Sequence, residues 1–357
     1  MQNLPGRYET IFHGYDNEFQ LVRQATRAKV PCDWGIDLTV GTETLLPQLA
    51  RAKAVMHATR LRVMWELDHD RQTDARDDLL GAFTLARHVP QNELLITVLV
   101  QIACEAINCA TVAENFGRFD PETLKELADG IESIPRVSVA RCVQAEKEFG
   151  QNWLRLTIEQ LRKENPGDDA KVMEGIRAAL QKAQSDLGKE TDTWNKLNKA
   201  AGGTSDGLLK LANGSFADRI AAVLALPHGD YETQLEQLRA DVAKSPNPLV
   251  PDGLRQFEKA RQREFRSQVY LAMVRAAVEY KLHGDEGFQK VQDPWANGPF
   301  AFRRFIFEGV DRGFELKSAY NGQGFEDTMI FVEKQGPAFA VNGTPEHVGK
   351  SRPAGRR

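Results

Sequence analysis

No two cysteines in this sequence stand at metal-binding spacing. Cys32, Cys104, Cys109 and Cys142 are the only four. None forms a CxxC pair, and no histidine is placed to complete a zinc site. They are expected as small buried apolar side chains, with a Cys32–Cys142 disulfide left open. The sequence also lacks GxSxG, GxxxxGK[ST], GxGxxG after a strand, and HExxH. GGTSDG at 202–207 has no lysine of the kind a phosphate-binding loop needs. Neither sign of charge dominates: 46 Lys and Arg face 50 Asp and Glu, for a net charge of −4. Such a balance gives no general pull toward nucleic acid or an anionic membrane. A long uninterrupted apolar run is absent too. The nearest, 94–112, contains Gln101, Glu105 and Asn108. A carboxylate at mid-bilayer is costly, so a buried core helix is expected there and not a transmembrane segment. Residues 1–19 show no basic region followed by an apolar stretch. Two expectations follow: a cytoplasmic protein, or a chain that starts after a removed signal or anchor.

What is present is ordinary globular material. The 357 residues are 41% hydrophobic and 27% charged, enough for a folded core and for two or three domains or one helical array. Helical spacing dominates up to about residue 282. Residues 15–30 suit a first helix, and the proline- and glycine-punctuated 31–47 reads as a loop. In the next helix Leu49, Ala52, Met56, Val63 and Leu67 form one stripe. Ala54, Ala58, Leu61 and Trp65 form a second, which predicts a helix sandwiched between neighbours. Leu79, Phe83 and Ala86 mark a helix over 75–89. Asp120-Pro121-Glu122 is a helix start, and a long helix covers 137–163. Residues 168–200 are strongly polar and read as an exposed arm. Shorter helices fit 215–226 and 230–243. SPNPLVP at 245–251 reads as a linker to a long helix from 252 to about 282. The period then changes: Phe300 and Phe302 alternate, as do Phe314, Leu316, Ser318 and Tyr320, and Ile330 and Val332 end a third apolar run. With turns at 309–313 and 321–324 this predicts a three-strand antiparallel meander.

The expected fold is therefore mostly α: a solenoid-like array of helical hairpins, tetratricopeptide-like in feel without its strict repeat, followed by a small C-terminal antiparallel β-meander. The expected divisions are a helical array at 1–164, a polar arm and hairpin at 165–244, a long helix plus sheet at 245–336, and a disordered tail at 337–357.

Two stretches carry a resemblance. CDWGIDL (32–38), LLPQLARAKAV (45–55), RLRVMWELDHDRQTDARDDLLGAFTLARHV (60–89) and LLITVLVQIACEAI (94–107) together resemble an uncharacterised bacterial protein family of planctomycete type, whose members usually carry an N-terminal signal or membrane anchor. DPWANGPFAFRRF (293–305) followed by GFELKSAYNGQGFEDTMIF (313–331) resembles the C-terminal sheet of the major pseudopilin of type II secretion. In that family a DPW-type turn precedes the strands and a Gly/Asp-rich loop binds calcium. The sequence departs from pilins proper: it shows no pilin N-terminal helix with its methylation site, and its acidic loop is poorer. The resemblance implies an envelope-associated protein, extracytoplasmic or membrane-anchored; the alternative is cytoplasmic.

Few residues suggest chemistry. Glu66 and His69 share a Glu-x-x-His spacing of the kind used in di-metal bundles, but a second such motif is missing. Glu105 stands in the apolar helix, where an unpaired carboxylate would be expensive. Arg60, Arg62, Arg87 and His88 are its candidate partners, with Asp33 and Asp37 able to share the network. A structural ion pair is the plainer expectation. The functional one is a pocket of Asp33, Trp34, Arg87 and Glu105 holding a small polar ligand. Asp293, Asn297, Asn321, Glu326 and Asp327 supply oxygens near the sheet turns, which makes calcium the one cofactor to test; turn-forming residues are the alternative. The expected function is a non-catalytic interaction or scaffold protein that engages a protein partner or self-assembles through the arm, with no nucleic acid. The alternative is a helical hydrolase or lyase with an acid-lined pocket around Glu105.

Overall fold

The computed structural model describes residues 14–27, 32–182, 191–214, 216–245, 247–320, 325–334 and 352–353. The chain winds through α1 (Asp16–Thr26), a 3-10 turn (Leu38–Glu43), α2 (Pro47–Asp68), α3 (Gln72–His88) and α4 (Leu95–Glu114). After a second 3-10 turn (Phe116–Arg118) come α5 (Pro121–Ser133), α6 (Val139–Glu164) and α7 (Asp169–Lys182). Then follow α8 (Thr191–Ala200), α9 (Ser205–Asn213), α10 (Ala217–Leu224), α11 (His228–Ala243) and the long α12 (Leu249–Lys290). Strands β1 (Ala301–Phe307), β2 (Val310–Lys317) and β4 (Thr328–Val332) form a sheet in the order β1-β2-β4, and β3 (Phe325–Glu326) pairs with β5 (Arg352–Pro353). The expected turn at 321–324, and the tail beyond 337 apart from β5, lie outside the described residues.

The centre of the molecule is α4. Its apolar sequence makes it long and apolar enough to cross a membrane, the only such helix among the described residues. Here it packs against α2, α3, α6, α12 and β4, and Val98, Cys104, Cys109, Val112 and Ala113 are buried. The expected core helix is what forms. Helix α5 begins as its sequence requires: the Asp120 side chain accepts from Thr123 N at 2.7 Å, with Pro121 opening the first turn. Helix α12 runs longer than the 252–282 expected. At Gly284 its backbone flips to φ 61°, ψ −149°, a conformation that costs a residue with a Cβ, and the helix resumes to Lys290.

The three-strand meander read from the sequence forms, but its last strand is buried on both faces, and Met329 and Phe331, not Ile330 and Val332, lie opposite Leu316 and Phe314. β1 and β2 join through Glu308 and Gly309, both with positive φ, and Phe307 pairs with Val310. The turn is thus a two-residue hairpin of the kind that positive φ at both positions permits, one residue earlier than the spacing suggested. Phe314 and Leu316 of β2 and Met329 and Phe331 of β4 are buried. Phe116 meets Phe314 and Phe331 edge-on while Phe302 stacks on Phe314, geometries that suit aromatic quadrupoles. The DPW segment is an anchor. Trp295 packs against His228, Phe265 and Tyr320, tying the start of the sheet to α11 and α12.

Three expectations need correction. The second stripe of α2 is not sandwiched: Ala54, Ala58 and Leu61 are exposed and only Trp65 is buried. The buried positions beside the first stripe are taken by Arg62 and Glu66, paired with each other at 3.1 Å. Residues 245–251 do not separate domains. One continuous core joins Leu79, Val98 and Leu127 to Leu254, Phe265, Met273, Phe314 and Phe331, and Asn247 staples the segment by donating to Leu211 O at 2.8 Å. The polar arm is not free. Its few apolar residues fall at helical spacing on one seam, so Val172, Met173, Ile176, Trp194 and Leu197 close a small core with Leu154, Ile158 and Leu208.

That packing predicts the behaviour of Trp194, which is 6% exposed. Trp194→Ala should cost about 3–5 kcal/mol, the usual range for truncating a buried aromatic, read by chemical denaturation. A projecting arm would leave stability unchanged.

Candidate functional site

Glu105 sits mid-way along α4 and is fully buried. The end of α3 brings Arg87, residues 134–138 bring Arg136, and α12 brings Ser267. Arg87 Nε and Arg136 Nε both donate to Glu105 Oε1 at 2.9 Å. Arg136 Nη2 and Ser267 Oγ donate to Oε2 at 2.6 and 2.8 Å. A carboxylate has about four lone-pair sites, so its accepting capacity is full. Burial alone would raise the Glu105 pKa, but the Arg136 and Arg87 guanidiniums outweigh it and hold the carboxyl below the ordinary glutamate range. Arg87 is fixed in turn by Nη1 donating to Ile131 O and Ile134 O, each at 2.5 Å. One turn before Glu105, Gln101 Nε2 donates to Val137 O at 3.2 Å. One turn after it, Asn108 is buried with neither side-chain polar atom hydrogen-bonded.

Of the expected pocket, the structure unites only Arg87 and Glu105. Asp33 is exposed and its Oδ1 accepts from Gly35 N at 2.8 Å. Trp34 docks on the end of α3, donating Nε1–H to His88 O at 2.9 Å. Arg87 turns instead toward a hollow of about 350 Å³ walled by Arg136, Ile131, Ile134, Leu271, Ala272 and Arg275 among others. Arg60 pairs with Glu114. Arg62 serves a second buried cluster, contacting Asp78 at 2.7 Å and Asp16 at 2.6 Å. In that cluster burial and the neighbouring Asp78 push Glu66 up to about 8, against the pull of Arg62 and Arg23. His69 turns away from Glu66: its Nδ1 lies 2.8 Å from Trp65 O and its ring packs on Trp65.

Of the oxygens expected for calcium, those of Asp293 and one of Asp327 are engaged within the protein, while Asp327 Oδ2 is buried without a hydrogen-bond partner. Asp293 accepts from Trp295 N, Ser318 Oγ and Ala319 N at 2.7–3.0 Å, fixing the DPW turn to the end of β2. Asp327 Oδ1 accepts from Arg266 Nε at 2.5 Å and Tyr270 OH at 3.2 Å, fixing β4 to α12. Asn297 is exposed, Asn321 lies outside the described residues, and of Glu326 only the backbone is described. Among the described residues no three His, Cys, Asp or Glu side chains converge to hold a metal ion. All four cysteines are free.

A second concavity escaped the sequence reading. A cleft of about 810 Å³ opens between the start of α4, α6, α9 and the start of α12. Leu95, Leu99, Phe149, Trp153, Leu211 and Phe257 line much of it. Trp153 presses on the 3-10 turn so closely that a Cβ at Gly41 would stand 2.3 Å from its ring. Glu146 supplies the main polar feature, accepting from Leu95 N at 2.6 Å and so capping α4 from another helix. Burial raises its pKa, partly offset by that N–H. The signal available in the sequence was a second apolar face on α6, marked by Phe149 and Trp153.

No protein family, curated protein or solved structure matches the chain.

The two buried acid clusters predict opposite responses. Glu105→Gln leaves two guanidiniums without a counter-charge and should cost about 3–5 kcal/mol. Glu66 has a folded pKa above that of the unfolded chain, so the native state holds its proton more tightly. Its contribution to stability is therefore lost as pH rises from about 4.5 through 8. Glu66→Gln should flatten that decline and be relatively more stable at pH 8 than at pH 5. Urea unfolding at both pH values checks both statements; a Glu66→Gln loss as large at pH 8 as at pH 5 would contradict the second.

Proposed function

We propose that this is a non-catalytic binding protein whose helical framework presents the cleft beside Glu146 to an amphipathic segment of a partner protein. One observation carries the reading: the cleft is broad and apolar, and its apolar character continues over the rim. Ile96 is 49% exposed and Leu45, between the lining residues Thr44 and Leu46, is 82% exposed. A small ligand would be enclosed by the walls. Exposed rim side chains gain their burial only from something larger that lies across the opening, as an amphipathic helix does in an apolar groove. The hydrolase or lyase alternative has less support, because Glu105 holds four hydrogen bonds and offers no lone pair to a substrate.

The finer parts of the proposal rest on resemblance. The bacterial envelope location comes from the likeness of 32–107 to a planctomycete-type family and of 293–331 to the major pseudopilin sheet. A tetratricopeptide-like mode of partner capture is in keeping with the paired helices α2–α3 and α10–α11. Assembly through the arm is disfavoured, since its apolar residues are already spent on α6 and α9.

The test uses synthetic amphipathic peptides with leucines at helical spacing, titrated into the full chain while tryptophan emission is followed; Trp153 lines the cleft. Binding should be saturable. Ile96→Lys should weaken it roughly 10- to 100-fold, since burying one large aliphatic side chain is worth about 1.5–3 kcal/mol. Binding that ignores Ile96→Lys, or no emission change with any peptide, sinks the proposal.

A further inference from the structure

We propose that the hollow beside Glu105 is a binding site for a small monocarboxylate, held by the guanidinium of Arg136 and walled by apolar side chains of α5 and α12. Three observations converge. The hollow measures about 350 Å³; its charged lining is Arg87, Arg136, Arg275 and one acid, Glu132, and apolar side chains such as Ile131, Leu271 and Val274 make up most of the rest. That size lies at the lower end of small-molecule sites.

The second observation is a surplus of positive charge. Arg87 and Arg136, with side chains 3% and 19% exposed, share the single carboxylate of Glu105. The next acid toward Arg136 is Glu264. Its oxygens are taken by Arg261 Nη1 at 2.5 Å and Val139 N at 3.2 Å, so at the inner, buried end three guanidiniums stand against two carboxylates, while Glu132 of the lining faces Arg275 on the outer side. A buried unbalanced charge is costly, and a bound anion would offset it. The third observation is an open donor. Arg136 uses Nε and Nη2 on Glu105 and Ser267, and its Nη1 has no hydrogen-bond partner among the described residues. Guanidinium N–H groups are well suited to a carboxylate.

The rim sets the class of anion. Arg275, on the outer wall, faces Asp129, Glu132 and Glu279. That local negative excess repels a multiply charged phosphate and tolerates a singly charged carboxylate, more so one that carries an amino group at its far end. The apolar walls favour a short branched tail over none.

Acetate, 3-methylbutanoate, 4-aminobutanoate and inorganic phosphate, each titrated into the full chain at constant ionic strength, provide the test by thermal shift and calorimetry. The expected result is a saturable rise in Tm with the two longer carboxylates, weaker with acetate and absent with phosphate. Ala272→Phe fills the hollow without touching the Glu105 contacts, and should abolish the effect at least tenfold in affinity. Leu271→Trp replaces it if Ala272→Phe does not fold. The proposal is overturned by no saturable shift with any carboxylate, by phosphate acting as well as they do, or by a response that survives filling the hollow. These outcomes are separate from those of the peptide titration, which reads a different cavity.

Discussion

Everything in this fold turns on how one carboxylate is kept charged inside an apolar core. Glu105 lies on the helix against which α2, α3, α6, α12 and β4 pack, and taking it from water would cost several kcal/mol if nothing compensated. Compensation comes from three directions: Arg87 from α3, Arg136 from the segment after α5, and Ser267 from the middle of α12. The sequence distance between Glu105 and Ser267 is what gives the tie its importance. Apolar packing is tolerant of small slides between helices, whereas four directional hydrogen bonds on one carboxylate are not. The ion cluster therefore sets the register of α12 on α4, and through α12 the seat of the sheet.

The cluster around Glu66 shows the contrast. There the acids crowd: Glu66 and Asp78 share Arg62 and Arg23, and burial with the nearby Asp78 lifts Glu66 above its ordinary range. Around Glu105 the cations crowd instead. Two buried networks thus carry opposite local imbalances, and the helices that bear them, α2, α3 and α4, also share an apolar cluster of Met56, Ala82, Ala86, Val100 and Cys104. Each imbalance has a local answer: proton uptake at Glu66, and an open guanidinium edge on Arg136.

Much of the architecture was legible from spacing alone. The helix over 94–112, the Asp120 cap and the alternation from Phe300 to Tyr320 all depend on local rules, and local rules survive folding. The pairing of Glu105 with Arg87 was also readable, because two apolar helices joined by a short turn bring such residues together. Arg136 and Ser267 were not. They reach Glu105 through long-range packing that no local pattern encodes, and Ser267 looks like any polar residue on an amphipathic helix. Residues 168–200 misled for a related reason. A polar average hid Val172, Ile176, Trp194 and Leu197, whose placement on one seam counts for more than their number. Asp293 and Asp327 were legible as turn-side oxygens, but their tertiary partners were not: Ser318 donates to Asp293, and Arg266 and Tyr270 donate to Asp327 Oδ1.

One segment joins the walls of the two cavities. Residues 134–138 carry Arg136 into the hollow and lead directly into α6, whose Glu146, Phe149 and Trp153 form a wall of the cleft. That segment is held from three sides: by Arg87 at Ile134 O, by Gln101 at Val137 O, and by Glu264 at Val139 N. A backbone pinned at both ends and its middle transmits displacement poorly, so the start of α6 is fixed relative to the ion cluster. A preformed groove of this kind loses little conformational entropy on receiving another molecule.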